Sequence, residues 1–388
     1  MEFSFTEEQQ MIRDTAASFL SEVSDSDTIR RAMATERGFE DQLWSRITEE
    51  MYWHAVHIPE DVGGLGLGYV ELAAMLEEMG KHLLCAPFYS TVCLGVNALL
   101  VAGTEMQKQT YLGQIAGEGR TATLAWSGAS GRWDASAIAA TCTLNDDGAV
   151  LNGRLRFVPD GHTADLLVVA ARQEGTSGES GVSLLLVDAN VQGVARNWLP
   201  TMDQTRKQAE IVLSDVRVAP ANVMRQPGNA WPLLSRVLDL ARIAIAAEQL
   251  GGADRALELT VDYVKERKQF GRPVGGFQAM KHKAADMMLK AEAARSAVYY
   301  SACIADEFLA GRARADELSE AASVAKAYCS DAYFFNAGCA VQMHGGIGFT
   351  WEHDMHLFFK RAKSTQLFLG DAAFHRERLS RQLLDTSS

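Results

Sequence analysis

Apolar and polar positions follow a helical period over much of the first 118 residues. Thr6-Glu7-Glu8-Gln9 is a Thr-x-x-Gln capping pattern, and Met11, Ile12, Ala16 and Leu20 then fall on one helix face. The period breaks at Pro59-Glu60-Asp61-Val62-Gly63-Gly64-Leu65-Gly66. It resumes at Tyr69 with Leu72, Met75, Leu76 and Met79 as the apolar face, and Gly80 is the predicted stop. From 119 to 225 the pattern changes to short apolar runs, at 122–126, 166–170, 182–187 and 209–213, bounded by Gly, Asp, Asn and Pro. Asn145-Asp146-Asp147-Gly148 reads as a hairpin turn between runs at 139–144 and 149–151. From about Trp231 the helical period returns, in stretches at 234–268, 277–309, 315–338 and 351–384 that suggest a bundle. The chain is therefore expected to be α+β, with a helical domain at 1–118, a β domain at 119–225 and a helical bundle at 226–388.

Composition supports that organisation. The 388 residues are 47% hydrophobic and 22% charged, a globular balance, and the length favours two or three domains. A net charge of −12 argues against nucleic acid as a partner. The charge is unevenly spread: residues 231–388 hold 20 Lys+Arg against 19 Asp+Glu, so an anionic ligand belongs there rather than with the acidic remainder. Six cysteines (Cys85, Cys93, Cys142, Cys303, Cys329, Cys339) lack metal spacing and are expected to be buried reduced thiols. The start, Met1-Glu2-Phe3-Ser4-Phe5, lacks the pattern of a secretory leader, and no run of 18 apolar residues occurs. A cytoplasmic protein without membrane association is expected.

Two segments carry candidate chemistry. In Tyr263-Val264-Lys265-Glu266-Arg267-Lys268-Gln269-Phe270-Gly271-Arg272-Pro273, a long helix runs into an Arg/Lys cluster and stops. Guanidinium groups and a ring at that point suit a pyrophosphate or nucleotide, and equally suit a solvated helix C-terminus. In Gln342-Met343-His344-Gly345-Gly346-Ile347-Gly348, adjacent glycines allow a close backbone approach to a ligand, or simply connect two helices. This is not a GxGxxG turn after a strand, so a Rossmann site does not follow.

Together with further motifs, these segments make the chain resemble the acyl-CoA dehydrogenases. The resemblance is carried by Phe5-Thr6-Glu7-Glu8-Gln9, Ile58 to Gly66, Glu77-Glu78-Met79-Gly80, Arg267-x-Gln269-Phe270-Gly271-x-Pro273, Phe277-Gln278, Ala284-Ala285-Asp286-Met287 and Gln342-x-x-Gly345-Gly346-x-Gly348, in order along almost the whole chain. It implies an N-terminal all-α domain, a middle β-sandwich or barrel and a C-terminal four-helix bundle. It also implies FAD bound across a subunit interface, with the flavin on one β domain and the pyrophosphate and adenine end on the neighbour's bundle. The residues matching that second role are Arg267, Gln269, Phe270, Gln278, Gln342, Met343, His344, Gly345 and Gly346. Acyl-CoA is the implied substrate, α,β-desaturation the implied reaction, and electron-transfer flavoprotein a common acceptor.

Departures from the family pattern narrow the expectation. The reaction needs a carboxylate base near the substrate α carbon. One family position for it corresponds to Leu369, in Gln366-Leu367-Phe368-Leu369-Gly370-Asp371, and the other to Ala241, in Leu238-Asp239-Leu240-Ala241-Arg242. Neither side chain accepts a proton. The flavin loops become Ala125-Trp126-Ser127-Gly128 and Phe157-Val158-Pro159-Asp160-Gly161, and Pro159 has no N–H to offer. Such a chain resembles the base-lacking small subunit of heteromeric acyl-CoA dehydrogenases, which serve bulky substrates such as steroid side-chain thioesters and some dicarboxylates. The partner is then a second acyl-CoA dehydrogenase-like subunit; a homo-oligomer is the alternative.

Glu248 and Asp371 are the other carboxylates near these positions, each also readable as an ordinary structural group. His353-x-x-His356 on a helix is a weak metal pattern, and the stretch from Met280 to Met287 is expected to be bundle core. Competing functions are a flavin-dependent monooxygenase of the same fold and a non-catalytic structural subunit.

Overall fold

A computed structural model describes residues 5–384; Met1-Glu2-Phe3-Ser4, within the stretch expected to hold no leader, lies outside the described residues. The helices are α1 (Glu7–Val23), α2 (Ser26–Met33), α3 (Asp41–Ser45), α4 (Tyr69–Lys81), α5 (Asn97–Ala102), α6 (Glu105–Gln107), α7 (Gly113–Glu118), α8 (Trp231–Glu266), α9 (Gln278–Leu309), α10 (Ala315–His344), α11 (Met355–Leu367) and α12 (Ala372–Leu384). The capping box at Thr6 forms, its hydroxyl accepting from Gln9 N at 3.2 Å while the Gln9 side-chain oxygen accepts from Thr6 N at 3.1 Å.

The chain packs as two compact units. One comprises residues up to 31, 69–84 and 242 onward; the other comprises 32–68 and 85–241. In the first, α4 is buried on nearly every side, so it is an interior helix rather than a surface one. Gly80 does not end it. The helix runs to Lys81, and a Cβ on Gly80 would stand 2.1 Å from the Glu248 carbonyl oxygen. A Cβ on Gly251 would stand 1.7 Å from the Glu77 carbonyl oxygen, so α4 and α8 cross backbone to backbone through two glycines. Beside this crossing the buried Glu77 carboxylate accepts from Arg13 at 3.3 Å, Tyr299 at 2.5 Å and Arg295. Arg295 also pairs with Asp254 at 3.0 Å, and Lys81 with Glu78 at 3.3 Å, which balances each buried carboxylate with a cation.

The expected stretch 351–384 is two helices, α11 and α12, separated by a turn at 368–371 where Leu369 (φ 61°) and Gly370 (φ 100°) adopt left-handed conformations. The methionine-rich part of α9 is only partly core: Met287 is fully buried, while Met288 is 58% exposed.

In the second unit, β1 (Ala122–Ala125), β2 (Ala140–Asn145), β3 (Gly148–Pro159), β4 (Leu166–Gln173), β5 (Val182–Asp188), β6 (Val194–Leu199) and β7 (Gln208–Val218) form one mixed sheet. Its order is β1-β4-β2-β3-β7-β6, with β5 also paired to β4. β1 and β2 run parallel to β4, pairing with its first and second halves, and the remaining ladders are antiparallel. The predicted hairpin forms, Asn145 pairing with Gly148 across Asp146-Asp147. β3 continues to Pro159, shifting register against β7 after Leu151 and again after Leu155. Leu151, Leu155, Leu167, Val169, Leu185 and Ile211 are among the side chains of its buried core.

Candidate functional site

The two sequence segments singled out for a nucleotide meet in the helical unit. α8 ends at Glu266 and the chain folds at once into a two-stranded ribbon, β8 (Lys268–Gln269) against β9 (Arg272–Pro273). The two residues between them, Phe270 (φ 50°) and Gly271 (φ 78°), both lie in the left-handed region, as a type I′ turn requires. Phe270 stands 91% exposed at the tip. The Arg272 guanidinium lies 4.1 Å from the centroid of the Phe277 ring, just ahead of Gln278 at the start of α9. One turn before the ribbon, the Tyr263 ring stacks on His344 with centroids 4.4 Å apart.

That stack brings the ribbon beside the end of α10, which runs past its expected stop to His344 and ends at Gly345 (φ 65°). Met343 and His344 are buried, while Gln342, Gly345 and Gly346 face outward. His344 Nδ1 donates to the Ala340 carbonyl at 2.7 Å, leaving Nε2 as a buried acceptor without a partner. Burial also lowers the His344 pKa, so the ring is neutral. A Cβ on Gly345 or Gly346 would meet nothing within 4 Å, so the backbone there is open to a ligand.

Arg267, Lys268, Gln269, Gln278 and Gln342 are all exposed, and none forms a side-chain hydrogen bond or ion pair with another described residue. Unpaired cations and amides on the ribbon and at the start of α9, together with an open glycine turn at the end of α10, fit the pyrophosphate and nucleoside part of a dinucleotide. Lys268 and Arg272 join the sequence-derived set. Their signal was the Arg/Lys cluster after the long helix, within which Arg272 pairs with Gln269 across the ribbon.

The histidine pair is arranged otherwise than expected. His353 precedes α11 and only His356 lies within it. His353 packs 4.7 Å from His344, and His356 meets the Trp351 ring edge-on at 4.8 Å. Among the described residues no group of three His, Cys, Asp or Glu could hold a metal ion.

At the two positions where a base is expected, the environment is apolar or already engaged. Leu369 is 1% exposed in the α11–α12 turn. Its carbonyl accepts from Arg242 Nε at 3.2 Å and from His375 Nε2 at 3.0 Å. His375 is held far below its ordinary pKa by burial and by the nearby Arg242, Lys326 and Arg378 charges, so it is neutral with its proton on Nε2. Ala241 is fully buried, and its carbonyl accepts from the Tyr89 hydroxyl at 2.8 Å. Glu248 is 3% exposed and accepts from Arg361 at 2.6 Å. Asp371 is exposed and caps α12, accepting from Phe374 N at 2.9 Å.

On the sheet unit, the strand end matching the flavin loop is closed by its own hydrogen bonds. Thr123 donates to the Pro159 carbonyl at 2.7 Å, and the buried Asp160 accepts from Ser90 at 2.7 Å. The Ser127 carbonyl accepts from Arg156 N at 2.9 Å, and Gly128 N donates to the Ala137 carbonyl at 2.9 Å. Trp126 is buried 5.9 Å from Trp133, centroid to centroid.

Comparison with known proteins bears on the family and the fold. Models of the acyl-CoA dehydrogenase N-terminal, middle and C-terminal domains match residues 6–118, 123–216 and 228–384. The acyl-CoA dehydrogenase IpdE2 of Mycobacterium tuberculosis is 34% identical over 363 residues, 94% of this chain and 93% of that protein. The structure of butyryl-CoA dehydrogenase from Megasphaera elsdenii superposes with a TM-score of 0.91 at 28% identity, covering 99% of this chain and 100% of that one. A chain of the ChsE4-ChsE5 complex from M. tuberculosis gives 0.89 at 26% identity, over the full length of both. The chain thus has the three-domain fold of helices, β sheet and helical domain, and it belongs to the acyl-CoA dehydrogenase family of FAD-dependent oxidoreductases acting on acyl-CoA.

Proposed function

We propose that this chain is the base-lacking subunit of a heteromeric acyl-CoA dehydrogenase that desaturates an acyl-CoA thioester between its α and β carbons. The observation carrying this reading is the state of the carboxylates. Positions 369 and 241 are Leu and Ala, Glu248 is engaged by buried Arg361, and Asp371 is spent as a helix cap. The base that takes the α proton is then a carboxylate of the partner subunit.

FAD, when bound, supplies the hydride acceptor for the β hydrogen. This chain's own part is to bind and orient. Arg267 and Gln269, with Lys268 and Arg272, neutralise and hydrogen-bond a pyrophosphate. Gln278, Gln342 and the open backbone at Gly345-Gly346 receive the nucleoside end, with Phe270 as an exposed ring beside it. Met343 and His344 hold the helix end from within, His344 through its stack on Tyr263. The exposure of these groups fits a role toward a neighbouring subunit's cofactor. The internally bonded strand end at Pro159-Asp160 fits a weakened flavin seat on this chain's own sheet.

The two-chain ChsE4-ChsE5 relative supports the heteromeric reading; a bulky acyl group such as a steroid side chain is the proposed substrate. Electron-transfer flavoprotein is the proposed electron acceptor, and the cytoplasm the proposed location.

The test is FAD stoichiometry and assembly mass for the chain purified alone and after co-expression with an acyl-CoA dehydrogenase-like chain from its gene neighbourhood. Little flavin alone, with about one FAD per pair and turnover only in the pair, is expected for one shared site. Full FAD and turnover as a homomer would overturn the proposal. Full FAD without desaturation would favour the monooxygenase reading.

A further inference from the structure

Lys326 lies in the middle of α10 and is fully buried. Its ammonium nitrogen lies 2.8 Å from the Gly370 carbonyl oxygen, 3.1 Å from that of Gln366 and 2.8 Å from the Ser330 hydroxyl. The first two acceptors flank Leu369, whose own carbonyl accepts from Arg242 on α8 and His375 on α12. Three buried donors from three helices thus converge on one turn. The need is physical. The last carbonyls of α11 have no helical partners, and a left-handed leucine followed by a left-handed glycine persists only when its surroundings fix it. Steric packing adds to this, because a Cβ on Gly370 would stand 2.4 Å from Phe374 Cδ1.

We infer that Lys326 is a positioning residue for the 366–370 turn, acting through the carbonyls of Gln366 and Gly370 to fix the direction in which side chain 369 points. This rests on the reading that position 369 is the family's base position. The seat for that residue is then preformed in this subunit, and its apolar occupant, not a collapsed loop, is what removes proton acceptance.

The positioning depends on N–H donors rather than on net charge. The groups facing Lys326 are Arg242 from α8, Ser330 with Cys329 and Asp331 on its own helix, Asp371 in the turn, and His375 from α12. Burial first, and then the Arg242 charge, brings the amine down to about 7. Both protonation states can be satisfied. As an ammonium, Lys326 donates to Ser330, which donates on to Gln249 Oε1 at 3.3 Å. As a neutral amine it keeps its two carbonyl acceptors and accepts from the Ser330 hydroxyl, which in turn accepts from Gln249 Nε2 at 3.2 Å. The chain Lys326–Ser330–Gln249 reverses direction while the turn stays held.

Amide hydrogen exchange read by mass spectrometry tests this without substrate, FAD or partner, so its failure is separable from failure of the heteromer proposal. In the wild type, protection of peptides covering 366–374 should be the same at pH 6 and pH 8 after correction for intrinsic rates. Lys326→Met should raise exchange there about tenfold while leaving peptides in α9 unchanged, and Lys326→Arg should restore most of the protection. Unchanged protection in Lys326→Met, or loss spread equally through α9 and α10, would overturn the inference. A wild-type loss of protection between pH 6 and pH 8 would overturn the donor argument. If Lys326→Met does not fold, Ser330→Ala removes the third partner alone. It should loosen the same peptides several-fold, and no change would overturn the assignment.

Discussion

Arg361→Met should show whether Glu248 is a structural anion or an available base. The pair is at 2.6 Å with side chains 2% and 4% exposed, so water screens it little. Removing the guanidinium leaves a carboxylate in the bundle core without that partner, and breaking a buried pair from one side costs about 3–5 kcal/mol. For a cooperative unit of this size each kcal/mol lowers Tm by about 2–4 °C, so a fall of roughly 10 °C is expected. Arg361→Lys keeps a charge but not the planar fork, and should fall between the two. Differential scanning calorimetry at pH 7 reads the shift, with far-UV circular dichroism confirming that each variant starts folded. A Tm within about 2 °C of wild type for Arg361→Met would refute the reasoning and return Glu248 to the candidates for proton abstraction.

Other outcomes follow from features of the two units. Gly251→Ala should destabilise by more than about 3 kcal/mol, or prevent folding, because its Cβ would sit 1.7 Å from a backbone oxygen that cannot step aside; urea denaturation measures this. Arg267→Ala and Gln269→Ala together should cut FAD retained by the purified assembly about tenfold, by flavin absorbance, with Tm of the isolated chain unchanged, since neither side chain has a hydrogen-bond or ion-pair partner among the described residues. His57 is buried against Asn97 at 2.9 Å, and burial depresses its pKa to about 4. Because the folded value lies below the unfolded one, its stabilisation is complete above about pH 6.5 and is lost as pH falls toward 4, to a limit of about 3 kcal/mol. His57→Gln should flatten that acid limb in Tm-against-pH scans, and an unchanged slope would sink the assignment.

What the sequence disclosed was mostly local. The Thr6 box and the Asp146-Asp147 hairpin each advertise themselves through residue types within a few positions, and each forms. The stop of the long helix before Gly271 and Pro273 was legible in the same way, but the two-stranded ribbon that follows it was not. Contacts across helices left weaker marks. Gly80 carries the composition of a helix stop, yet it serves a crossing with a helix some 170 residues later. The turn at 368–371 is hidden because Leu367, Phe368 and Leu369 continue the apolar pattern, and only Gly370 hints at the reversal. Lys326 and His375 were missed for the opposite reason: a polar residue in an apolar run reads as a solvated position until its buried acceptors are known. The reading of positions 369 and 241 as base positions came only through the resemblance, because no physical signal in the sequence marks them.

The discontinuous make-up of the helical unit bears on how the chain is born. α1 and α4 leave the ribosome early, but the α8 segment that α4 crosses through Gly80 and Gly251 is translated only after the whole sheet unit. At about 5–20 residues per second the wait is on the order of ten seconds or more. For that time the face of α4 that α8 meets through Gly80 and Gly251 stands open, while the unit ending at residue 241 can already close. Nascent chains paused before α8 should therefore be the species that chaperones hold and that premature termination leaves to aggregate.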